Sequence, residues 1–236
     1  MKLCALLLLL LIPAPGSQAQ QDLSGKVFLF PKETSTDHVI VNLKILKPLH
    51  KVTLCLRYYT DLTRGYTPFS LATPGKDNAF IIFLEPPHTF YVGINQEAVT
   101  FKTEAEVLDW KHICVTWDSQ TRVVQLWVNG KLYPRKVTST VSSIAGESST
   151  VLGQDQDSFG GEFQTSQSFV GELSDIHMWN DVLSPEDIQK VFYGDHNGNL
   201  LNWKSFNYAI KGDIIVQSKL QCKSWGDISS LYTSCQ

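Results

Sequence analysis

The chain has 236 residues, of which 20 are basic and 23 are acidic, so its formal net charge at pH 7 is −3. This mild acidity argues against nucleic-acid recognition, because nucleic-acid-binding proteins carry a concentrated basic surface that binds phosphates. The length fits one main domain of about 200 residues, a size that all-β sandwiches commonly reach.

The first 19 residues have the pattern of a secretory signal peptide. Lys2 precedes an apolar run at residues 3–12, and prolines and small residues follow. The run is shorter than the roughly 20 apolar residues that span a bilayer, so we expect a secreted, extracellular protein without a membrane span. Cleavage after Ala19 would remove Lys2 and no acid, which changes the net charge to −4. The predicted boundaries are a signal peptide at 1–19, a single domain at 20–222 and a C-terminal tail at 223–236.

Four cysteines follow the predicted leader, namely Cys55, Cys114, Cys222 and Cys235. An even number in an oxidising compartment predicts disulfides, and four cysteines allow three pairings. Cys55 and Cys114 each lie in an apolar, strand-like run and could face each other on neighbouring strands. Cys222 and Cys235 enclose a polar tail, and they could pair with each other or with another chain.

Most of the chain consists of short segments that are rich in β-branched and aromatic residues and bounded by turn residues, the pattern of β-strands. The predicted strands are residues 26–31, 52–59, 79–85, 89–94, 112–117 and 123–133. Asn129-Gly130 interrupts the last segment, and this pair tolerates the positive φ angles of a type I′ hairpin turn. The pattern predicts two antiparallel sheets packed face to face.

One segment, residues 185–193, is predicted as a helix instead. Ser184 is a suitable N-cap, Pro185 suits the first turn, and Gly194 suits the C-terminal cap. Apolar residues recur at the spacing of one helical face, so the helix is expected to lie on one of the sheets.

The stretch LGQDQDSFGG at residues 152–161 admits three interpretations. The first is a solvated turn, since Asp, Gln, Ser and Gly are common loop residues. The second is a site for a hard cation, because calcium takes 6–8 oxygen ligands from carboxylates, amides and backbone carbonyls. The oxygens would come from Asp155, Asp157 and the Gln156 carbonyl, from the nearby Gln154, Gln164 and Gln167, and from the distant pair Asp77-Asn78.

The third interpretation is a glycoside hydrolase, in which Asp155 and Asp157 would form a retaining pair with carboxyl groups about 5–5.5 Å apart. The acids here do not match the E-x-D-x-x-E spacing of secreted glucanases with a similar fold, and no serine-hydrolase elbow or zinc-protease motif occurs. We therefore expect that the protein is not an enzyme.

The segment HICVTWDS at residues 112–119 resembles the pentraxin signature H-x-C-x-[ST]-W. LSGKVFLFPKET, RGYTPFS, LGQDQDSFGGEF, SQSFVGELSDIHMWNDVLSPEDI and LNWKSFNYAI also resemble short pentraxins, and together the resemblance covers roughly residues 20–217. It implies an all-β, lectin-like, flattened jelly-roll sandwich with one short helix on the face opposite the ligand site. It also implies a disulfide between Cys55 and Cys114.

The resemblance implies two calcium ions per protomer. By position, the ligands would be Asp77, Asn78, Asp155, the Gln156 carbonyl, Asp157, Gln164 and Gln167. Gln164 stands where the family carries an acid, and Asp155 stands where it carries a glutamate. Three carboxylates then face two divalent ions, so we expect one sound calcium site and one weakened site, because ligand charge tunes calcium affinity.

The family resemblance also implies a ligand pocket beside the calcium ions. Phe83 matches its apolar wall, Tyr91 stands where some members of the family carry a smaller residue, and Gln96 occupies the place of an acid that faces a quaternary ammonium. Loss of that acid makes phosphocholine selectivity doubtful and leaves phosphorylated or anionic glycans and lipids as candidate ligands.

As a pentraxin-like protein, the chain is expected to form a cyclic homo-oligomer, commonly a homopentamer, and to engage complement and Fc receptors through the helix face. The expected function is calcium-dependent pattern recognition in innate immunity, of the acute-phase type, on microbial or damaged-cell surfaces. The alternative is a pentraxin fold with weakened calcium binding that acts through protein–protein interaction.

Overall fold

The computed structural model describes residues 20–104, 108–139 and 141–220, together with the backbone of residues 222–223 and 234–235. The predicted signal peptide at 1–19 and most of the predicted tail at 223–236 lie outside the described residues. No helix among the described residues is long and apolar enough to cross a membrane.

Strands are the main regular secondary structure of the described chain. The first nine are β1 (Lys26–Phe30), β2 (His38–Val41), β3 (Lys51–Tyr59), β4 (Tyr66–Thr73), β5 (Lys76–Glu85), β6 (Thr89–Ile94), β7 (Glu97–Lys102), β8 (Lys111–Asp118) and β9 (Val123–Val128). The others are β10 (Lys131–Leu132), β11 (Lys136–Val137), β12 (Ser149–Leu152), β13 (Gly171–Trp179), β14 (Tyr208–Lys211), β15 (Ile215–Ser218), β16 (Cys222–Lys223) and β17 (Ser234–Cys235). The helices are α1 (Pro185–Tyr193) and two 3-10 turns at Thr165–Gln167 and Trp203–Ser205.

Two large antiparallel sheets pack face to face. The first has the order β10-β9-β8-β3-β13-β1-β15, with β11 also paired to β9, and the second has the order β14-β2-β12-β4-β5-β6-β7. Alternate side chains of both sheets fill the space between them, and large fully buried residues such as Phe28, Phe69, Phe80 and Trp117 form the core. The predicted fold class is therefore confirmed.

Helix α1 lies on the outer face of the first sheet. The Ser184 side chain accepts a hydrogen bond from the Asp187 N–H at 3.1 Å, and Gly194 ends the helix in the left-handed region. Ile188 and Val191 are buried in a small cluster that includes Trp179 and the Cys55–Cys114 pair. The helix bounds and both caps are those predicted from the sequence.

The structure shows the predicted hairpin turn and places the cysteines on paired strands. Asn129 and Gly130 have φ angles of +49° and +77°, as the predicted type I′ turn requires. Cys55 on β3 is directly opposite Cys114 on β8, and the two form a disulfide. The backbone of β16 pairs with that of β17, and this register places Cys222 opposite Cys235.

Candidate functional site

The loop at residues 153–169 carries most of the predicted calcium ligands, and it is closed at its base. The Gly153 N–H donates to the Pro68 carbonyl at 3.2 Å, and the Phe169 N–H donates to the Gly153 carbonyl at 2.9 Å. Gly153 has a φ of +86°, and a Cβ there would lie 2.2 Å from the Phe30 ring. Only glycine fits without strain, and it determines where the loop leaves β12.

The side chain of Gln156 is buried and serves the loop itself. Its Nε2 donates to the carbonyls of Ser70 and Ser149, both at 3.1 Å, and its Oε1 accepts from the Gly160 N–H at 3.0 Å. The amide is therefore satisfied on both ends. This leaves the backbone carbonyl of Gln156 as the oxygen that the residue can offer to an ion, as the family resemblance implies.

Carboxylates from two distant segments come together beside this loop. Asp77 and Asn78 lie at the start of β5, which is separated from β12 only by β4. Burial, followed by the nearby carboxylates of Asp157 and Asp77, raises the pKa of Asp155 to about 7. The cluster concentrates negative charge that a cation would neutralise.

Three buried oxygens of this cluster have no hydrogen-bond partner. They are Oδ1 of Asn78, Oδ1 of Asp155 and Oε1 of Gln167. A buried polar atom without a partner costs about 1–3 kcal/mol, so each such atom calls for an explanation, of which a bound water or ion is one. All three belong to the predicted calcium ligands, and amide and carboxylate oxygens are what calcium binds, so the donor set fits the ion.

Gln164 is a predicted ligand whose amide nitrogen is bonded to another predicted ligand. It precedes the 3-10 turn at Thr165–Gln167, and its Nε2 donates to Oδ2 of Asp157 at 2.6 Å. An acid at this position could not donate such a bond to a carboxylate. The amide thus partly satisfies Asp157 without adding negative charge to the cluster.

Arg64 holds the far side of the loop, a role that the sequence did not reveal. Its Nη1 donates to the carbonyls of Ser166 at 3.1 Å and Ser168 at 2.7 Å, and its Nε lies 3.5 Å from Oε1 of Glu33. Both acceptors border Gln167. Arg64 therefore fixes the backbone that presents this predicted ligand.

An apolar wall lies on the neighbouring hairpin. Phe83 on β5 is the register partner of Tyr91 on β6, and their ring centroids are 6.0 Å apart. The Tyr91 hydroxyl donates to Oε2 of Glu85 at 2.8 Å. The structure thus brings together two of the three predicted pocket residues.

Gln96, the third predicted pocket residue, lies in the turn between β6 and β7. Its Nε2 donates to Oδ1 of Asp77, and its Oε1 accepts from the Asn78 N–H at 2.7 Å. The side chain therefore contacts two predicted calcium ligands, and both of its polar atoms are engaged.

Gln154 is fully buried, and its amide binds the N-terminal segment. Nε2 donates to the carbonyls of Thr34 at 2.7 Å and Asp37 at 3.0 Å. These bonds indicate a structural role for the Gln154 nitrogen in holding this segment against the loop.

A second group of metal-ligating residue types, Cys55, His112 and Cys114, lies in the first sheet. The two sulfurs are joined in the disulfide, so they are not available as thiolate ligands. Burial, followed by the nearby Arg57 guanidinium, lowers the pKa of His112 to about 3. This histidine is a neutral core residue.

The comparison with known families decides the identity of the fold. A family model described as the Pentaxin family matches residues 26–218. The chain belongs to this family. The family match confirms the pentraxin resemblance, and the structure contains the disulfide that this resemblance implies.

Several curated pentraxins match along nearly their whole length. C-reactive protein of Xenopus laevis is 50% identical over 224 residues, covering 93% of this chain and 94% of that protein. Serum amyloid P-component of Cavia porcellus is 43% identical over 203 residues (86% and 91%), and mucosal pentraxin of Mus musculus is 42% identical over 207 residues (87% and 92%).

A solved structure supports the fold. The native heptameric SAP-like pentraxin from Limulus polyphemus aligns with a TM-score of 0.73 over 83% of this chain and 95% of that chain. At 24% identity, this likeness concerns the fold alone. The chain is therefore a pentraxin with a jelly-roll fold, related to C-reactive protein and serum amyloid P-component.

Proposed function

We propose that the protein is a secreted pattern-recognition pentraxin that binds anionic groups through calcium. Support comes above all from the three unpartnered buried oxygens of Asn78, Asp155 and Gln167, which belong to two segments distant in sequence. Bound calcium would satisfy these oxygens and neutralise the adjacent carboxylates. An ion held at the surface of such a loop retains free coordination positions for a phosphate or carboxylate of a ligand.

The charge of the cluster supports two calcium ions of unequal affinity. Asp77, Asp155 and Asp157 supply three negative charges against the four positive charges of two ions. Gln164 adds an amide whose nitrogen donates to Asp157, so its contribution to the second ion is weak. We therefore expect one ion to bind well and the second to bind with lower affinity.

The surroundings of the site favour a broad choice of anionic ligands. The wall of Phe83 and Tyr91 offers apolar contact to a group beside the bound anion. Gln96 carries no charge and its amide is engaged, so it gives no counter-charge to a quaternary ammonium. Phosphorylated or carboxylated glycans and lipids of microbial or damaged cells, which need no counter-charge for a cation, fit this chemistry better than phosphocholine does.

A ring of protomers would raise the apparent affinity of a shallow site that by itself binds its ligand weakly. The two ends of the first sheet carry exposed apolar side chains, namely Leu132 and Val137 on β10 and β11 and Ile215 on β15. Joining one edge to the opposite edge of the next copy is a heterologous contact, and such contacts form a ring when the rotation between copies closes. We expect a cyclic homo-oligomer, commonly a pentamer, in which several sites facing one way raise the apparent affinity about 10²-fold or more.

A pentraxin that acts through protein contacts, with calcium in a minor role, is the second candidate. The Gln164–Asp157 hydrogen bond favours it, because it satisfies one carboxylate without an ion. The helix face would then be the working surface, and Tyr193 at the end of α1 is 73% exposed. Complement components and Fc receptors are the partners to test on this face, with and without calcium.

Retention on immobilised phosphoethanolamine tests the first proposal. We expect the mature protein to bind the resin in millimolar calcium and to elute with a chelator. Asp155→Asn, which removes one carboxylate from the cluster and keeps its shape, should bind poorly. Retention that does not depend on calcium, or equal retention of the variant, would contradict the calcium-bridged mode and favour the second candidate.

A further inference from the structure

The turn between β6 and β7 contains a glutamine where the backbone favours glycine. Asn95 and Gln96 have φ angles of +49° and +72°, the left-handed pair of a type I′ turn. The second position of such turns is usually glycine, and a residue with a Cβ costs roughly 1 kcal/mol or more there. A side chain that is retained despite this cost calls for a role of its own.

The contacts of Gln96 define that role. Its Nε2 donates to the Asp77 carboxylate, its Oε1 accepts from the Asn78 N–H at 2.7 Å, and its own N–H donates to the Asn78 carbonyl at 3.0 Å. A neutral amide can donate to a carboxylate and accept from an N–H at the same time. A carboxylate in the same place would repel Asp77, and a hydrocarbon side chain would leave Asp77 and the Asn78 N–H with only the 2.9 Å hydrogen bond between them.

We propose that Gln96 is a positioning residue of the calcium site, which holds Asp77 and Asn78 in their coordinating orientation without binding the ion itself. This inference rests on the proposed calcium-dependent function. With Oδ1 of Asp77 held by the amide, the other carboxylate oxygen is free for the ion. With the Asn78 backbone held on both sides, its side chain is fixed while Oδ1 remains buried and unpartnered.

Outer partners of this kind matter because they orient the ligands before the ion arrives. Loss of such a partner typically weakens metal affinity 10- to 100-fold. The same contacts make Gln96 a poor specificity residue, since both polar atoms of its amide are already engaged by the protein. Position 96 therefore acts on calcium affinity, and the anionic ligand senses it only through the ion.

Gln96→Gly is the decisive variant, because glycine relieves the backbone strain while it removes both side-chain hydrogen bonds. Calcium titration by calorimetry should show a dissociation constant raised at least about tenfold. The melting temperature without calcium should stay equal or rise, since the turn itself becomes less strained. A purely structural role would instead lower the melting temperature, so a loss of calcium affinity without a fall in melting temperature identifies Gln96 as a positioning residue.

Asn95→Gly is the matched control in the same turn. It relieves similar strain and removes bonds to Lys76 and Ser142, but it leaves the contacts to Asp77 and Asn78 in place. Its calcium affinity should equal that of the wild type. If wild type binds calcium and Gln96→Gly binds equally well, or if Asn95→Gly is weakened to the same degree, the positioning role is wrong. If wild type does not bind calcium at all, the proposed function fails first.

Discussion

The Arg64 guanidinium donates a hydrogen bond to the backbone carbonyl of Ser168 at 2.7 Å, although the two residues are 104 positions apart. The same nitrogen also reaches the Ser166 carbonyl, so one side chain holds both sides of Gln167. The geometry of the candidate calcium site thus depends on the guanidinium group of Arg64, which does not itself bind the ion.

Arg64→Ala should lower calcium affinity about tenfold, as loss of an outer-sphere contact does. The direction of this change in affinity is informative, because removing a positive charge near the site would by itself strengthen calcium binding. Calorimetric titration measures the effect, and Lys47→Ala, which removes a charge from an exposed loop, serves as the control. An affinity that is unchanged or higher in Arg64→Ala would show that the loop does not need this anchor.

Gly153→Ala should destabilise the fold by about 2–4 kcal/mol. Its left-handed φ of +86° and the approach to the Phe30 ring combine backbone strain with overcrowding. Gly146→Ala has a similar φ of +88° and nothing within 4 Å, so it should lose only the strain contribution of about 1 kcal/mol. Urea unfolding of both variants compares the two contributions, and equal losses would contradict the predicted clash.

His177 should make the protein less stable in acid. Burial lowers its pKa to about 4 in the folded state, against a usual value near 6.5. Between pH 6.5 and about 4 the unfolded chain therefore binds a proton that the folded chain does not. Stability is retained above pH 6.5 and is lost on acidification, with a slope of up to about 1.4 kcal/mol per pH unit from this residue.

His177→Gln isolates this contribution, because glutamine cannot titrate and can still accept the Gly198 N–H that now binds Nδ1. The pKa of Asp155 is raised, so without calcium its protonation stabilises the folded state on acidification, opposite to the effect of His177. The comparison of wild type with the variant is therefore the test, and the wild-type pH profile alone is not. Denaturant unfolding at several pH values should show the wild-type profile falling more steeply than that of the variant. Parallel profiles would contradict a neutral buried His177.

Local sequence signals predicted the helix and the hairpin turn accurately, because caps and turn residues act within a few positions. The strand β4 was not predicted, although it is buried along its whole length. It contains Pro68, and proline is normally excluded from central strands. The pairing register of β4 with β5 shifts between Tyr66 and Phe69, so Pro68 lies at an irregularity that tolerates the missing N–H.

The candidate site was predictable only in part, for a similar reason. The oxygen-rich pattern at residues 154–157 is visible in the chain, and its approach to Asp77 follows from the order of neighbouring strands. The contacts of Arg64 and Gln96 are tertiary, since their partners are backbone groups or side chains brought close only by folding. No residue pattern marks such partners in a single sequence.

Calorimetric titration of the purified mature protein with calcium, wild type beside Gln164→Glu, tests the central claim most directly. The wild type should bind one calcium ion well and a second weakly. Gln164→Glu should gain affinity at the second site, because it replaces the amide that donates to Asp157 with an additional carboxylate ligand. If neither protein binds calcium at millimolar concentration, the loop is a solvated turn and the calcium-dependent function is wrong.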